Sequence, residues 1–158
     1  MQRIPMRPSG YAKVAEELKL HREVLRPQVV RDIEEARAHG DISENAEFES
    51  AKDRQSHIEG RTRDLESRLS MAEVIDITRL PRSTRVIFGA SVELEDIDTG
   101  ETLVYCIVGT EEADVRAGLV SYSSPIGRAL IGHDQGDEVR FETPKGTRTL
   151  VINAVHYR

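Results

Sequence analysis

The chain has 158 residues, of which 38% are hydrophobic, 32% are charged and only 4% are aromatic. This length accommodates one ordinary domain or two small ones, and the high charge favours an elongated part with little core of its own. The formal net charge of −6 argues against free-standing, non-specific binding to nucleic acid, which requires a basic surface. It does not exclude contact with nucleic acid that another protein already holds.

The sequence shows no sign of a disulfide or a membrane anchor. Cys106 is the only cysteine, and its apolar neighbours are typical of a buried strand. The first six residues lack the apolar core of a signal peptide. No apolar stretch approaches the ~20 residues that cross a bilayer. We therefore expect a cytoplasmic protein without contact to membranes.

The first half of the chain has helical periodicity. Residues 11–38 carry apolar side chains mostly three or four positions apart, which predicts an amphipathic helix that Pro27 should bend. Gly40 ends this pattern, and Ser43 is a candidate N-cap for a second helix that reaches residue 72. Two helices with so short a link must run antiparallel, as a hairpin with one seam. The seam residues are Tyr11, Val14, Leu18, Leu25, Val29, Ile33 and Ala36, then Phe48, Ala51, Ile58, Leu65, Leu69 and Ala72, with Gln55 and Thr62 in its polar gaps.

The second half has the short alternating runs of β-strands. Turn-forming residues at 80–84 indicate a linker, and residues 98–100 and 144–146 indicate hairpin turns. A short helix is predicted at 126–131. The strands are predicted at 85–88, 90–94, 103–108, 118–121, 138–141 and 149–155. The fold class is therefore α+β, with a hairpin domain at 1–76, a linker at 77–84 and a small antiparallel-sheet domain at 85–158.

An acidic cluster lies at the predicted turn of the hairpin. Asp41, Glu44 and Glu47 fall within seven residues, and carboxylates at an exposed tip are ionised near pH 7. Such oxygen ligands suit Mg²⁺, which is commonly held by one or two carboxylates together with waters and phosphates. The alternative is a solvated turn in which Glu44 and Glu47 only interact with the helix dipole. The residues alone leave both interpretations open.

No competing active site is evident. The five histidines lack metal-ligand spacing, and the serines at 121, 123 and 124 lack a nucleophile motif. No glycine-rich phosphate loop is present. The basic residues of the hairpin are interpreted either as partners in helix-surface salt bridges or as RNA contacts. They are Arg31, Arg37, Lys52, Arg54, Arg61 and Arg63.

Residues 39–48 read H-G-D-I-S-E-N-A-E-F, which closely resembles the G-D-x-x-E-N-A-E-Y tip of the GreA/GreB family of transcript cleavage factors. Further similar segments follow in the same order: E-G-R at 59–61, V-I-F-G-A at 86–90 and S-P-I-G-R-A-L-I-G at 124–132. The resemblance covers essentially the whole chain. It implies an N-terminal coiled-coil hairpin and a C-terminal domain with an FKBP-like fold.

The resemblance also implies a function at the active centre of bacterial RNA polymerase. Factors of this family pass their hairpin down the secondary channel and stimulate cleavage of the 3′ end of backtracked nascent RNA. Asp41 and Glu44 match the two essential tip acids, which help to hold the second Mg²⁺ and its attacking water. The polymerase's own aspartates hold the first ion, so the factor alone is expected to be no enzyme.

The same resemblance assigns supporting roles near the tip. Asn45 and Glu47 match the rest of the tip and are expected to orient water or ligands. Phe48 stands at the aromatic position and is expected to pack and fix the tip. Arg37 and Lys52 match a small basic patch that contacts the RNA 3′ segment.

The resemblance places the docking surface in the second half of the chain. Ser121, Ser124 and Pro125 match the loop that grips the coiled coil at the rim of the secondary channel. It further implies a cytoplasmic, DNA-binding protein that acts as a monomer. We consider four alternatives: an inhibitory paralogue that docks on polymerase, a GreB-type factor, a plain coiled-coil adaptor and an independent hydrolase. The intact tip argues against the first, and the absence of an extended basic patch argues against the second.

Overall fold

The computed structural model describes residues 2–39 and 46–158. Two compact units are present, one comprising residues 11–72 with residue 2, and the other comprising residues 3–10 and 73–158. Asp41, Glu44 and Asn45, together with the predicted N-cap Ser43, lie outside the described residues. Within the described ranges, no helix is long and apolar enough to cross a membrane.

The predicted helical hairpin is confirmed. Helix α1 spans Pro8–Leu20, a π-helical turn spans His21–Leu25, α2 spans Arg26–Ala38 and α3 spans Ala46–Met71. Pro27 lies in the first turn of α2, and the Arg26 N–H donates to the His21 carbonyl five residues earlier. Leu25 and Arg26 keep right-handed helical dihedral angles. The chain thus accommodates a proline without an N–H through a widened turn, and the helix continues.

The hairpin seam contains small and branched side chains rather than aromatic ones. Thr62, one of the two predicted polar gap-fillers, is 1% exposed, and its Oγ1 donates to the Ile58 carbonyl at 2.7 Å. Tyr11 is 36% exposed, so its predicted place in the seam is wrong. The buried members are Val14, Leu18, Val29, Ala36, Ala51, Thr62 and Leu65. Burial along one stripe of each helix explains why a sequence with so many charges still forms these helices.

The second unit is built on a five-stranded sheet. Its strands are β3 at Ser91–Asp96, β4 at Thr102–Val108, β5 at Leu119–Ser121, β6 at Glu138–Thr143 and β7 at Gly146–His156. Their order in the sheet is β5-β4-β3-β7-β6. A short helix, α4, spans Pro125–Leu130, close to the predicted 126–131. The core lies on one face of this sheet, where the branched side chains of β3, β4 and β7 meet Leu130 and Val139.

The sheet is mixed, which corrects the prediction of a purely antiparallel one. Strands β4 and β5 pair in parallel, with Cys106 opposite Leu119 and Val108 opposite Ser121. The reason is the long connection between them, which contains a 3-10 turn at Val115–Ala117 and Gly118 at φ 77. A connection of this length carries the chain back past the end of β4 to the level of Cys106, so that β5 runs in the same direction as β4.

The strand predicted at 85–88 is also wrong. Only an isolated bridge between Arg85 and Asp134 forms there. Val86 is fully buried, but the following residues turn, because Ala90 N–H donates to the Ile87 carbonyl and Gly89 adopts φ 90. An apolar run that enters the core as a turn has the same composition as a strand, and this explains the misassignment.

Two short strands were not predicted from the sequence. Strand β1 at Ile4–Met6 pairs with β2 at Ala72–Val74, and the Ile75 N–H donates to the Met6 carbonyl at 2.9 Å. Met6 is completely buried. Residues 3–10 therefore belong to the second compact unit.

Candidate functional site

The acidic tip is bracketed by the ends of two helices. Helix α2 ends at Ala38 and α3 begins at Ala46, so that the segment carrying Asp41 and Glu44 links them. Glu47 lies in the first turn of α3 and is exposed, whereas Phe48 is half-buried. A carboxylate in the first turn is favoured by the helix dipole, which accounts for Glu47 without further assumptions. The described flank of the tip therefore combines one exposed acid with one packed aromatic ring.

A groove of about 450 Å³ lies beside this flank, between the end of α2 and the start of α3. Arg54 Nη1 donates to Asp32 Oδ2 at 3.0 Å inside it. The hydrogen bond from Gln28 lowers the pKa of Asp32, and the hydrogen bond from Arg54 lowers it further. The lining residues are Asp32, Glu35, Ala36, Ala46, Glu47, Ser50 and Arg54. With three acids against one base, the groove keeps a negative charge and extends the acidic character of the tip.

The basic residues of the hairpin divide into two groups. Arg54 pairs with Asp32, and Arg61 pairs with Glu17 through two hydrogen bonds of 3.0 Å. Arg54 and Arg61 therefore form helix-surface salt bridges, which is one of the two roles predicted for the basic residues of the hairpin. Arg37, in the last turn of α2, is exposed.

Lys52, near the start of α3, is also exposed, and its Nζ donates to Gln55 Oε1 at 3.3 Å. The cations of Arg37 and Lys52 therefore face solvent close to the tip. An exposed cation can meet a phosphate without first breaking a buried ion pair.

The second predicted site forms a tight loop between β5 and α4. Ser124 caps α4, because its Oγ accepts from the Gly127 N–H at 3.1 Å and donates to the Ser121 carbonyl at 2.6 Å. Ser121 Oγ lies 2.9 Å from Ser123 Oγ. Pro125 occupies the first position of α4 and is exposed. The serines therefore shape the loop, and Pro125 is its most exposed residue.

Two residues that the sequence analysis did not single out fix this loop. A Cβ at Gly127 would collide with the Ser121 carbonyl oxygen, so only glycine fits there. The ring of Tyr122 packs edge-on against Phe88, with centroids 6.1 Å apart. Gly127 lies within the quoted S-P-I-G segment, but its close contact with Ser121 depends on how the loop folds and has no signal in the sequence.

The described residues do not form a metal site by themselves. Among residues 2–39 and 46–158, no group of three His, Cys, Asp or Glu side chains could hold an ion. The proposed ligands Asp41 and Glu44 lie outside these ranges. Their donor chemistry suits Mg²⁺, and two carboxylates leave most of its coordination positions to other groups.

Comparisons with known proteins cover both units. Residues 4–74 match the family described as transcription elongation factor, N-terminal, and residues 81–157 match transcription elongation factor, GreA/GreB, C-term. The chain is 50% identical over 157 residues to transcription elongation factor GreA of Psychrobacter cryohalolentis, and equally to that of Ruegeria pomeroyi, with 99% of this chain covered in both cases and 99% of each relative. The crystal structure of GreA factor homolog 1 of Thermus thermophilus is 31% identical, with a TM-score of 0.43, over 98% of this chain and 99% of that one.

Proposed function

Because the chain belongs to the GreA/GreB family of transcription elongation factors, we propose that it binds bacterial RNA polymerase and stimulates cleavage of backtracked nascent RNA. The observation that carries this proposal is that the acidic segment of the chain connects α2, which ends at Ala38, to α3, which begins at Ala46. A hairpin with its acids at the turn can carry them into a narrow channel.

The hairpin has the properties of an arm. Helix α3 has 26 residues, which corresponds to about 39 Å at 1.5 Å per residue. The seam between the helices of the hairpin buries Val29, Ala51 and Leu65 almost completely. Ion pairs join its helices, among them Arg26 with Glu59 and Arg61 with Glu17. A braced arm places its tip with less loss of entropy than a flexible loop would, and this favours productive geometry.

At the tip, Asp41 and Glu44 would supply carboxylate oxygens to a Mg²⁺ ion that the polymerase also holds. In two-metal hydrolysis of a phosphodiester, one ion activates the attacking water and the other stabilises the leaving oxygen. Asn45 and Glu47 would orient water or ligands beside them. Phe48, which is half-buried, would fix the start of α3. The chain alone would then be no enzyme, because it supplies only part of the metal-ligand set and the polymerase supplies the rest.

The remaining roles follow from exposure and charge. Arg37 and Lys52 are exposed beside the tip and would bind phosphates of the RNA 3′ segment. The loop that contains Ser121, Ser124 and Pro125 would contact the coiled coil at the rim of the secondary channel. Its hydrogen bonds preorganise the loop, so that binding does not have to order it.

A cleavage assay tests the proposal. The protein is incubated with a stalled, backtracked bacterial elongation complex and Mg²⁺, and the labelled RNA is resolved on a gel. We expect short 3′ fragments with the native chain and none above background with Asp41→Asn/Glu44→Gln. A matched control is Glu49→Gln/Asp53→Asn, which neutralises two exposed acids of α3 beyond the tip and should cleave normally.

The outcomes separate the candidate functions. A native chain that binds polymerase without stimulating cleavage would contradict the cleavage function and indicate the inhibitory paralogue. No binding would contradict the polymerase assignment altogether. Normal cleavage by Asp41→Asn/Glu44→Gln would show that the tip acids are not the ligands, whatever the function of the fold.

A further inference from the structure

A buried carboxylate joins two distant parts of the second unit. Glu112 Oε1 accepts from Arg7 Nε at 2.7 Å, and Glu112 Oε2 accepts from the backbone N–H groups of Arg7 at 3.2 Å and Gly109 at 3.1 Å. The Glu112 side chain is only 5% exposed. Arg7 is 105 positions earlier in the chain. Glu112 therefore fastens the residues immediately before α1 to the loop that follows β4.

Two glycines make room for this arrangement. A Cβ at Gly10, in the first turn of α1, would lie 2.6 Å from Glu112 Cγ. A Cβ at Gly109 would lie 2.7 Å from the Pro5 carbonyl oxygen. Real side chains do not tolerate such approaches, so both positions require glycine for the observed packing. We name Glu112, Arg7, Gly10 and Gly109 the α1 clamp.

All contacts of the α1 clamp depend on the Glu112 carboxylate, so its loss would disrupt them together. The carboxylate lies at the start of α1, where the positive end of the helix dipole favours a negative charge. Arg7 balances that charge, and the two N–H groups occupy acceptor positions that water would otherwise fill. Loss of the carboxylate would leave a partly buried guanidinium and two donors without their acceptor, which is costlier than the loss of an exposed ion pair.

We propose that Glu112 is a positioning residue for cleavage stimulation, because it holds the start of the helix that leads to the acidic tip. Helix α1 is followed without interruption by the π-helical turn and by α2, which ends at Ala38 just before the tip. Glu112 itself touches neither RNA nor metal. This role for Glu112 rests on the proposed function. Glu112 lies outside both the tip motif and the proposed docking loop.

The test separates positioning from binding and from folding. Glu112→Gln keeps the shape of the side chain but replaces one acceptor oxygen by an NH2 group, which cannot serve all three donors. Gly10→Ala pushes the carboxylate away while raising helix propensity, so a loss of function in this variant cannot come from a weaker helix. Glu101→Gln, which neutralises an exposed acid of the β3–β4 hairpin, is the control.

We expect both clamp variants to lower the maximal cleavage rate at saturating factor by about tenfold or more, since small misplacements of catalytic groups are costly. The concentration for half-maximal effect should stay within about twofold, because the docking loop is untouched. Hydrogen exchange at the Arg7 and Gly109 amides should rise about tenfold in Glu112→Gln. Glu101→Gln should match the native chain in all three measurements.

Unchanged maximal rates in both variants, or a fall that is matched by an equal loss of polymerase affinity, would overturn the proposal. Unchanged exchange at the Arg7 and Gly109 amides would overturn it as well, because the carboxylate would then not be holding them. The exchange measurement does not depend on the polymerase. A native chain without cleavage activity would therefore refute the proposed function, while the exchange rates would still show whether Glu112 forms the clamp.

Discussion

Arg61 of α3 and Glu17 of α1 meet in a two-point contact, in which Nε donates to Oε1 and Nη2 donates to Oε2, both at 3.0 Å. Arg26 and Glu59 form a second contact of this kind, at 2.7 and 3.0 Å. Glu17 precedes the π-helical turn and Arg26 follows it. The two fork-like pairs therefore brace the hairpin on both sides of its widened turn, where the backbone hydrogen bonds are least regular.

The Glu17 pair makes the hairpin sensitive to acid. The hydrogen bond from Arg61 holds the pKa of Glu17 below its ordinary value of 4.5. A carboxyl group with a lowered folded-state pKa stabilises the protein fully above its unfolded-state pKa, and this contribution is lost as the pH falls through the folded-state value. We expect Glu17→Gln to lower the free energy of unfolding by about 0.5 kcal/mol near pH 6, since the pair is partly exposed, and to have no effect near pH 3.

Chemical denaturation followed by helical circular dichroism measures this difference at the two pH values. Glu16→Gln is the matched control, because Glu16 is the exposed neighbour of Glu17 in α1. An effect of Glu17→Gln that is equal at both pH values would contradict the assigned ion pair and point to packing instead.

A second prediction concerns the buried hydroxyl of the seam. Thr62 is 1% exposed, and its Oγ1 donates to the Ile58 carbonyl, which also serves the helix. Thr62→Val keeps the volume and removes a buried polar group whose partner stays satisfied, so we expect a change between zero and about 1 kcal/mol of stabilisation. Thr62→Ala, which leaves a cavity, should destabilise by about 1 kcal/mol. Thermal unfolding compares the two; a strongly destabilised Thr62→Val would show that the hydroxyl has a specific structural role.

The sequence predicted those parts of the fold that depend on local patterns. The three- and four-residue spacing around Val29 and Leu65 specified the hairpin, because a single stripe suffices to bury both. Strands β3, β4, β6 and β7 were predicted from their alternation of apolar and polar residues and from the turns at Gly100 and Gly146. Both glycines have positive φ. Local patterns do not contain the direction of β5, because that depends on where the connection 109–118 returns the chain.

Long-range contacts explain the remaining differences. The attachment of residues 3–10 to the second unit depends on Met6 and on the contact of Arg7 with Glu112, whose partners are far apart in sequence. The motif predicts Asp41 and Glu44 as the tip acids by residue type and order, and both lie outside the described residues. The internal bonds of the proposed docking loop, including the fit of Gly127 against Ser121, become visible only in three dimensions.

A third prediction separates two glycines by their surroundings. A Cβ at Gly127 would collide with the Ser121 carbonyl oxygen, so Gly127→Ala should distort the proposed docking loop and destabilise the protein by about 2 kcal/mol. Its affinity for polymerase should fall at a temperature where the domain remains folded. Gly60, in α3, has open space around its Cβ position, so Gly60→Ala should stabilise by about 0.5–1 kcal/mol and leave binding unchanged.

Thermal unfolding and competition for polymerase measure both glycine variants. Equal affinities of Gly127→Ala and Gly60→Ala for polymerase would contradict the assignment of docking to the Ser121–Pro125 segment. Loss of binding by Gly60→Ala alone would instead place the contact on the hairpin.

The fourth prediction concerns the two exposed cations beside the tip. Arg37→Glu and Lys52→Glu replace side chains that face solvent, so each should change the free energy of unfolding by no more than about 0.5 kcal/mol. If these cations bind phosphates of the RNA, each reversal should weaken cleavage of backtracked complexes and make the remaining activity less sensitive to salt, because fewer counterions are released. Arg63→Glu, which reverses an exposed charge farther along α3, is the control. Cleavage rates measured over a series of salt concentrations decide the matter: parallel salt dependences for the native chain and both tip variants would mean that Arg37 and Lys52 do not contact RNA.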